Sequence, residues 1–407
     1  MDRYLLGRIV EQVERSRNDW REGRSGNRTL DNKKGALYDK DHLKSEVVAA
    51  AARMEEAGWI KINWGGGIRG SDFTSVSYRL EDMPFFYKKY QEKVDPDFRP
   101  RYHWVQVFSR ALEEELSVVR SPWIKACYRE ELERVETQRN VREKYEKFLK
   151  YQACFRGIDS LEEPVFKRIF SRSFCGGSKV FESVMQKHVI WAAKKYCEDM
   201  DDTMDDTTVL SQLLIEDYAQ ELAVKGVLDL EMPGEDGGRS RISTENWKYG
   251  TVLNSETMKH AEPVAERPVF SRVVTIENKA NYVAAPFRRD TLYIFTHGFL
   301  SPRERRFLQK LYDVWKNYEM EYYHSGDLDY GGMKIFQYMR NRIFPGLQPL
   351  RMDAETFVRY EKYGEKIEDE TLEKIRGIEE PCFQPLIQKI LETGLGIEQE
   401  SFLIKHA

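Results

Sequence analysis

The C-terminal part of the chain, from about residue 262 to residue 407, alternates short apolar runs with amphipathic helical patterns. Ser301, Pro302 and Glu304 form a capping box, which predicts the start of one of these helices. Regular alternation of this kind predicts a small parallel α/β sheet covered by helices. The predicted strands are VVTIE (273–277), LYIFT (292–296), EYYHS (321–325) and QPLRM (348–352).

Three carboxylates follow the ends of these strands. Glu277 closes the first strand, and Asp327 and Asp329 directly follow the third in GDLDYGG, whose glycines are expected to allow a tight turn. The carboxyl ends of parallel strands meet at one sheet edge, so the three acids are expected to face one crevice. An isolated pair of aspartates is common in turns, but its combination with the strand-ending glutamate is specific. Hard oxygen ligands without cysteine or clustered histidine favour Mg²⁺ or Mn²⁺ over zinc.

This arrangement resembles the Toprim fold of type II topoisomerases, primases and certain nucleases. The segments PVFKRIFSRSFCGGSKVFE, TIENKANY, FTHGF, GDLDYGGMKIF and GIEQESF further resemble the JetD family, the nuclease subunits of Wadjet plasmid-defence systems. That family is related to the DNA-cleaving A subunit of type IIB topoisomerases. The resemblance assigns metal binding and catalysis to Glu277, Asp327 and Asp329. It also implies a homodimer, circular double-stranded plasmid DNA as substrate, and SMC-like Wadjet subunits as partners.

The sequence thus predicts an α+β multidomain protein. Residues 1–90 show a helix, a second helix ended by Gly58, and two strands (59–64 and 75–80) joined by GGGIRGSDF, a pattern typical of a winged helix. Such a domain either contacts DNA or packs only against its neighbours. The densely charged residues 91–154 are predicted to form a solvated helical arm or linker. By resemblance, residues 155–260 are a CAP-like winged-helix domain and residues 261–407 are the Toprim domain.

The predicted reaction is hydrolysis. Type IIB topoisomerases attack DNA with a tyrosine of the CAP-like domain, but residues 152–195 contain no tyrosine. Ser171 or Ser173 could replace it, although no base is evident beside either. Water activated by a metal ion is therefore the expected nucleophile. A topoisomerase-like or recombination-type transesterase, and a non-catalytic DNA-binding assembly subunit, are the alternatives.

Other polar residues are harder to assign from the sequence. Arg168, Arg172 and Lys179 are expected either to bind DNA phosphates or to form surface salt bridges. Glu398 and Glu400 are expected to decorate a terminal helix, with an outer role at the metal site left open. His297 and His324 are expected to be structural, and the acidic run EDMDDTMDD (198–206) to be a solvated loop because it lacks the full calcium-loop spacing.

Composition sets broad limits on the function. The 64 Lys and Arg residues nearly balance 68 Asp and Glu, and the net charge of −4 does not exclude a nucleic-acid binder with clustered basic residues. Five cysteines without metal-ligand spacing suggest a reducing compartment. With no signal-peptide pattern and no apolar run of membrane-spanning length, the expected location is the cytoplasm.

Overall fold

The computed structural model describes residues 2–65, 69–235 and 237–404. The chain is an α+β protein with two compact units, Met1–Ala153 and Cys154–Ala407. Met1, residues 66–68 of the predicted hairpin tip, Asp236 and residues 405–407 lie outside the described residues. Among the helices described, none is long and apolar enough to cross a membrane.

The first unit contains helices and a small sheet, and its last helix continues beyond residue 153. The helices are α1 (Asp2–Arg15), α2 (Lys44–Glu56), α3 (Met83–Lys93), α4 (Arg101–Val118), α5 (Pro122–Arg134) and α6 (Val141–Ser160). The strands are β1 (Asn27–Asp31), β2 (Lys61–Trp64) and β3 (Phe73–Arg79).

The sheet of the first unit has the order β1-β3-β2, and both pairs are antiparallel. The predicted helix–helix–hairpin order of this region is present. Strand β1 was not predicted, because only Leu30 of its five residues is buried and the segment is otherwise polar. The side chain of Asn32 then holds the chain against β3, since its Nδ2 donates to the Phe73 carbonyl at 3.0 Å. Pairing with β3, and not local propensity, makes this segment a strand.

Helices α4 to α6 bury an aromatic cluster of their own. Phe108 is 1% exposed, and its ring centroid lies 5.4 Å from that of Phe148, which also meets Tyr128 at 5.7 Å. The prediction of a solvated arm with few apolar positions is therefore wrong for these helices. The buried residues are spread over three helices, so no single helix shows a strong apolar stripe.

The second unit contains more helices and strands than the first. Its helices are α7 (Lys167–Phe174), α8 (Gln186–Tyr196), α9 (Asp206–Gln212), α10 (Ser255–His260), α11 (Lys279–Ala284), α12 (Pro302–Trp315), α13 (Tyr330–Arg342), α14 (Ala354–Tyr360), α15 (Asp369–Arg376) and α16 (Gln384–Thr393). Its strands are β4 (Val165–Phe166), β5 (Ile215–Glu216), β6 (Glu221–Lys225), β7 (Asp229–Pro233), β8 (Arg239–Ser243), β9 (Thr251–Asn254), β10 (Glu262–Pro263), β11 (Arg272–Ile276), β12 (Thr291–Phe295), β13 (Glu321–Ser325), β14 (Gln348–Pro349), β15 (Glu365–Lys366) and β16 (Leu395–Gly396).

The main sheet of the second unit has the order β14-β13-β11-β12-β6-β9. The pairs among β14, β13, β11 and β12 are parallel, as the strand–helix alternation predicts. Strands β6 and β9 extend the sheet in antiparallel fashion, although both precede residue 261. The sheet therefore crosses the predicted boundary between the segments 155–260 and 261–407.

Helix α12 confirms the predicted capping box. The Ser301 side chain accepts from the Glu304 amide, and the Glu304 carboxylate accepts from the Ser301 amide at 2.8 Å. The helix buries Phe307, Leu308 and Leu311. This packing fixes the chain between β12 and β13, and thus the parallel course of both strands.

Gly226, which directly follows β6, provides a test of the close approach between β6 and β12. Its φ is +141°, and a Cβ atom there would lie 2.6 Å from the Thr291 carbonyl oxygen of β12. Gly176 also has a positive φ, +83°, but a Cβ atom there would meet nothing within 4 Å. We expect Gly226→Ala to lower the free energy of unfolding by about 2–4 kcal/mol and Gly176→Ala by about 1–2 kcal/mol. Urea unfolding measures both, and equal losses would contradict the close approach of β6 and β12.

Candidate metal centre

Sheet register brings the ends of β11 and β13 side by side. Ile276 is paired with Ser325, and the Glu277 amide donates to the Ser325 carbonyl at 3.0 Å, so the two chains stay adjacent just past the strands. The Asp327 amide then donates to Oε2 of Glu277 at 3.3 Å. Two of the predicted acids are thereby brought together at the carboxyl edge of the sheet.

Two glycines of GDLDYGG are required by close approach. A Cβ atom on Gly326 would lie 2.4 Å from Oε2 of Glu277, and one on Gly332 would lie 2.2 Å from the Asp327 carbonyl oxygen. A Cβ atom on Gly331 would make only an ordinary contact, 3.5 Å from Asp329. Gly326 and Gly332 thus let the backbone lie against the acids.

Asp329 begins helix α13. Its Oδ1 accepts from the Gly332 amide at 2.8 Å, so this carboxylate serves as the N-cap of the helix. Burial raises the pKa of Asp329. The two aspartates of the motif therefore differ in their surroundings, because the Asp327 amide donates to Glu277 while the Asp329 carboxylate caps α13.

A segment near residue 400 adds further carboxylates. Leu328 and Ile397 form an isolated antiparallel bridge, and the Gln399 amide donates to Oδ1 of Asp327 at 2.7 Å. Carboxylate oxygens of Asp327, Glu398 and Glu400 all lie within 4.8 Å of one another. Both glutamates are exposed, as surface residues of a terminal segment should be. Their expected role as decoration alone does not fit this proximity.

Gln399 is the residue of this region that the sequence analysis overlooked. It is 1% exposed, its Nε2 donates to Ser325 Oγ at 2.6 Å, and its Oε1 accepts from the Asn278 amide at 2.9 Å. Its carbonyl accepts from Asn281 Nδ2 at 2.8 Å. One buried side chain therefore connects the residues that follow β11, the end of β13 and the segment that carries Glu398 and Glu400. No local sequence pattern could reveal this, because Asn278 lies 121 positions away.

The carboxylates of this centre lie together without a neighbouring counter-charge among the described residues. In the part of the chain that the structure describes, Glu277, Asp327, Asp329, Glu398 and Glu400 form no ion pair with lysine or arginine. Burial, and then the neighbouring acids, raise the pKa of Glu277 and of Asp327. Clustered hard oxygen donors lacking a counter-charge fit a divalent cation such as Mg²⁺ or Mn²⁺.

The remaining predicted residues lie elsewhere in the second unit. Arg168 and Arg172 of α7, and Lys179 beyond it, are exposed and form no ion pair within the described segments. Ser171, by contrast, is 1% exposed; its Oγ donates to the Gly177 carbonyl and accepts from the Phe181 amide at 3.0 Å. A hydroxyl buried and bonded in this way ties α7 to the segment that follows it and is poorly placed as a nucleophile.

Both predicted structural histidines make side-chain hydrogen bonds. His324 is fully buried, and its Nδ1 lies 2.9 Å from Oγ1 of Thr275 on the neighbouring strand. Burial lowers the pKa of His324 to about 3, which keeps the ring neutral. His297, with a φ of +45°, lies 3.1 Å through Nε2 from the carboxylate of Glu304 in the capping box.

The sequence predicts that the acidic run 198–206 is a solvated loop, but the run forms ion pairs with two helices. Asp201 pairs with Lys334 of α13 at 3.0 Å, and Asp202 pairs with Lys374 of α15 at 3.0 Å. The hydroxyl of Tyr330, the residue after Asp329, donates to Asp202 at 3.4 Å. The run thus docks on the helix that begins at the candidate metal centre. Sequence reasoning missed this because the partner lysines are far away along the chain.

Comparison with known proteins gives the same family as the sequence motifs. Residues 240–407 match the family model described as "Wadjet protein JetD, C-terminal". The chain is also 28% identical over 295 residues to the Wadjet protein JetD of Bacillus cereus (strain Q1), and the match covers 70% of each chain. The chain is therefore similar to the Wadjet protein JetD, and its residues 240–407 are similar to the C-terminal family of that protein.

Proposed function

We propose that this chain is a metal-dependent DNA endonuclease that hydrolyses phosphodiester bonds as the cleaving subunit of a Wadjet-type anti-plasmid complex. The observation that carries the proposal is the cluster of uncompensated carboxylates at the carboxyl edge of the parallel strands. The relation to the Wadjet protein JetD supports the role in plasmid defence.

The proposed metal ligands come from three segments of the chain. Glu277 follows β11, and Asp327 and Asp329 follow β13. Glu398 and Glu400 come from a segment much later in the chain, and their carboxylates lie close to that of Asp327. When bound, Mg²⁺ or Mn²⁺ would activate water and offset the charge that develops on the phosphate oxygens. Glu277 is the candidate to hold or move a proton in the reaction. Gln399 would keep the ligands in position through its buried hydrogen bonds.

Several features of the proposal rest on the family resemblance. They are a Toprim domain around the metal ligands, a CAP-like winged-helix domain before it, a homodimer, and SMC-like subunits as partners. Circular plasmid DNA would be the substrate. Arg168, Arg172 and Lys179, exposed and without ion-pair partners in the described segments, are the proposed phosphate contacts.

Hydrolysis is favoured over transesterification. Residues 152–195 lack tyrosine, and the Ser171 hydroxyl is buried and hydrogen-bonded to the Gly177 carbonyl and the Phe181 amide beyond α7. A transesterase would leave a covalent protein–DNA adduct after denaturation, whereas a hydrolase would release free ends. Gel analysis of denatured reaction products distinguishes the two.

The first prediction concerns the metal ligands. We expect Glu277→Ala and Asp327→Asn to reduce Mg²⁺- or Mn²⁺-dependent cleavage by at least about 100-fold, because each removes a carboxylate from the metal. Circular and linear DNA should be incubated with the protein, alone and with the proteins encoded beside it. Asp313→Asn is the control, since Asp313 is exposed on α12 and pairs with Lys316 at 2.8 Å, away from the carboxylates of the candidate centre.

Calorimetric titration with Mg²⁺ or Mn²⁺ separates an inactive resting enzyme from a non-catalytic subunit. The intact chain should bind the ion, and Asp327→Asn should weaken that binding. Cleavage by both variants at the wild-type rate would overturn the proposal. If the intact chain does not bind the ion, or if Asp327→Asn binds it equally well, the chain is better explained as a DNA-binding assembly subunit whose acids are vestigial.

A second prediction concerns Gln399. We expect Gln399→Ala to weaken metal binding by about 10- to 100-fold, because the side-chain amide ties the segment that carries Glu398 and Glu400 to Ser325 and to the Asn278 amide without supplying a ligand. Higher Mn²⁺ concentration should restore part of the cleavage. Gln388→Ala, which removes only an exposed hydrogen bond to Glu392 on α16, should leave affinity unchanged. Equal affinities in the two variants would exclude a positioning role.

A third prediction concerns DNA contacts. Replacing Arg168, Arg172 and Lys179 together with glutamine should reduce the salt dependence of DNA binding, with the slope of log K against log salt falling by about 3. Fluorescence anisotropy with a short duplex at several salt concentrations measures the slope. The control replaces three ion-paired surface cations, Lys316, Arg376 and Lys389, with glutamine. An unchanged slope in the first variant would remove these residues from the DNA interface.

A further inference from the structure

The first unit contains a cavity lined mainly by arginine. Its volume is about 490 Å³, and it lies beside the segment after α1, the start of α4 and the turn after α5. The charged residues that line it are Arg15, Arg17, Arg21, Arg101, Arg139 and a single acid, Glu136. The other lining residues are small and polar, and no aromatic or aliphatic side chain is among them. Such a lining selects a ligand for its negative charge.

The arginines that line this cavity outnumber the carboxylates that pair with them. Arg21 pairs with Glu136 at 2.9 Å, and Arg15 pairs with Glu11 at 2.8 Å. Arg17 and Arg139 are exposed and form no ion pair within residues 2–65 and 69–153. At least two guanidinium groups at the mouth are therefore available to an incoming anion.

Arg101 lies at the base of the cavity and is only 7% exposed. Its Nη2 donates to the Glu136 carbonyl at 2.9 Å, and its guanidinium lies 4.3 Å from the centre of the Trp20 ring. Its Nε is buried and has no hydrogen-bond acceptor. A buried cationic donor without an acceptor is uncommon in folded proteins, and it indicates a missing partner.

Glu14 does not supply that partner. Its carboxylate accepts from the Tyr87 hydroxyl and from the backbone amide of Arg101, each at 2.7 Å, and forms no ion pair with the Arg101 guanidinium. Burial lowers the pKa of Arg101; the charge of Glu14 opposes this, while Arg21 and Arg139 add to it. Arg21 and Arg139 therefore place further positive charge beside this guanidinium.

We propose that this cavity binds a phosphate group, with Arg101 at its base and Arg17, Arg21 and Arg139 around its mouth. The planar guanidinium binds phosphate through paired hydrogen bonds, and the several oxygens of a phosphate can accept from more than one arginine at once. A nucleobase would find no stacking surface, because Trp20 is 2% exposed beneath Arg101 and Arg21. The phosphate could be free or belong to a DNA backbone, and the two sources share this chemistry.

The test uses the full chain in metal-free buffer, so that it does not depend on the carboxylate centre. Inorganic phosphate is titrated calorimetrically into the wild type and into the double variant Arg17→Gln, Arg139→Gln. Both substituted residues are exposed, so the variant should fold normally. We expect phosphate binding to weaken about tenfold or more. The matched control is Arg69→Gln, Arg79→Gln, which removes exposed cations of the same unit that pair with Glu55 and Glu81.

Arg101→Lys tests the base of the cavity, because it retains the charge and removes the guanidinium fork. It should weaken phosphate binding while leaving the melting temperature near that of the wild type. If it does not fold, the Arg17 and Arg139 variant still decides the question. A wild type that does not bind phosphate, a double variant that binds as the wild type does, or equally tight binding of malonate would overturn the assignment.

Titration of a short duplex distinguishes the two sources of phosphate. A duplex that competes with phosphate, and whose affinity falls in the Arg17 and Arg139 variant, identifies the ligand as a DNA backbone phosphate. Phosphate binding without competition by the duplex identifies a free phosphate group. Either result supports the cavity as a phosphate site and is independent of whether the chain cleaves DNA.

Discussion

Mutual repulsion among the acids is the constraint on which the rest of the candidate centre depends. Carboxylates that lie this close, partly buried and without basic partners in the described segments, need a rigid framework to remain together. The parallel register of β11 with β13 provides one part of that framework, since Ile276 and Ser325 are direct neighbours. The buried amide of Gln399 provides the other, since it bonds to both strand ends at once.

Features fixed by short-range pattern could be predicted from the sequence. The parallel strands followed from apolar runs separated by helical patterns, and the start of α12 followed from the Ser301–Glu304 box. The same reasoning placed Glu277 and Asp327 at one sheet edge, where the structure has them hydrogen-bonded. Spacing within a strand or a helix turn was enough in each case.

Features that depend on distant partners could not be predicted. Strand β1 is a strand because β3 pairs with it, and β6 joins the main sheet only through its contact with β12. Glu398 and Glu400 reach Asp327 because Leu328 pairs with Ile397, and no local pattern in either segment predicts this contact. The ion pairs of the acidic run were missed for the same reason. Local patterns in a single sequence predict the secondary structure of each segment, but they do not predict which distant segments come into contact.

The position of Gln399 has a consequence for the order of folding. Its hydrogen bonds join residues separated by 72, 74 and 121 positions, so each of them closes a long loop of the chain. Closing such loops costs more entropy than pairing neighbouring strands, and contacts of this kind tend to form late and to open early. The sheet can therefore assemble before the acids are gathered. A partly folded chain would contain the parallel sheet without the assembled carboxylates, so whatever chemistry the cluster performs would be absent until folding is complete.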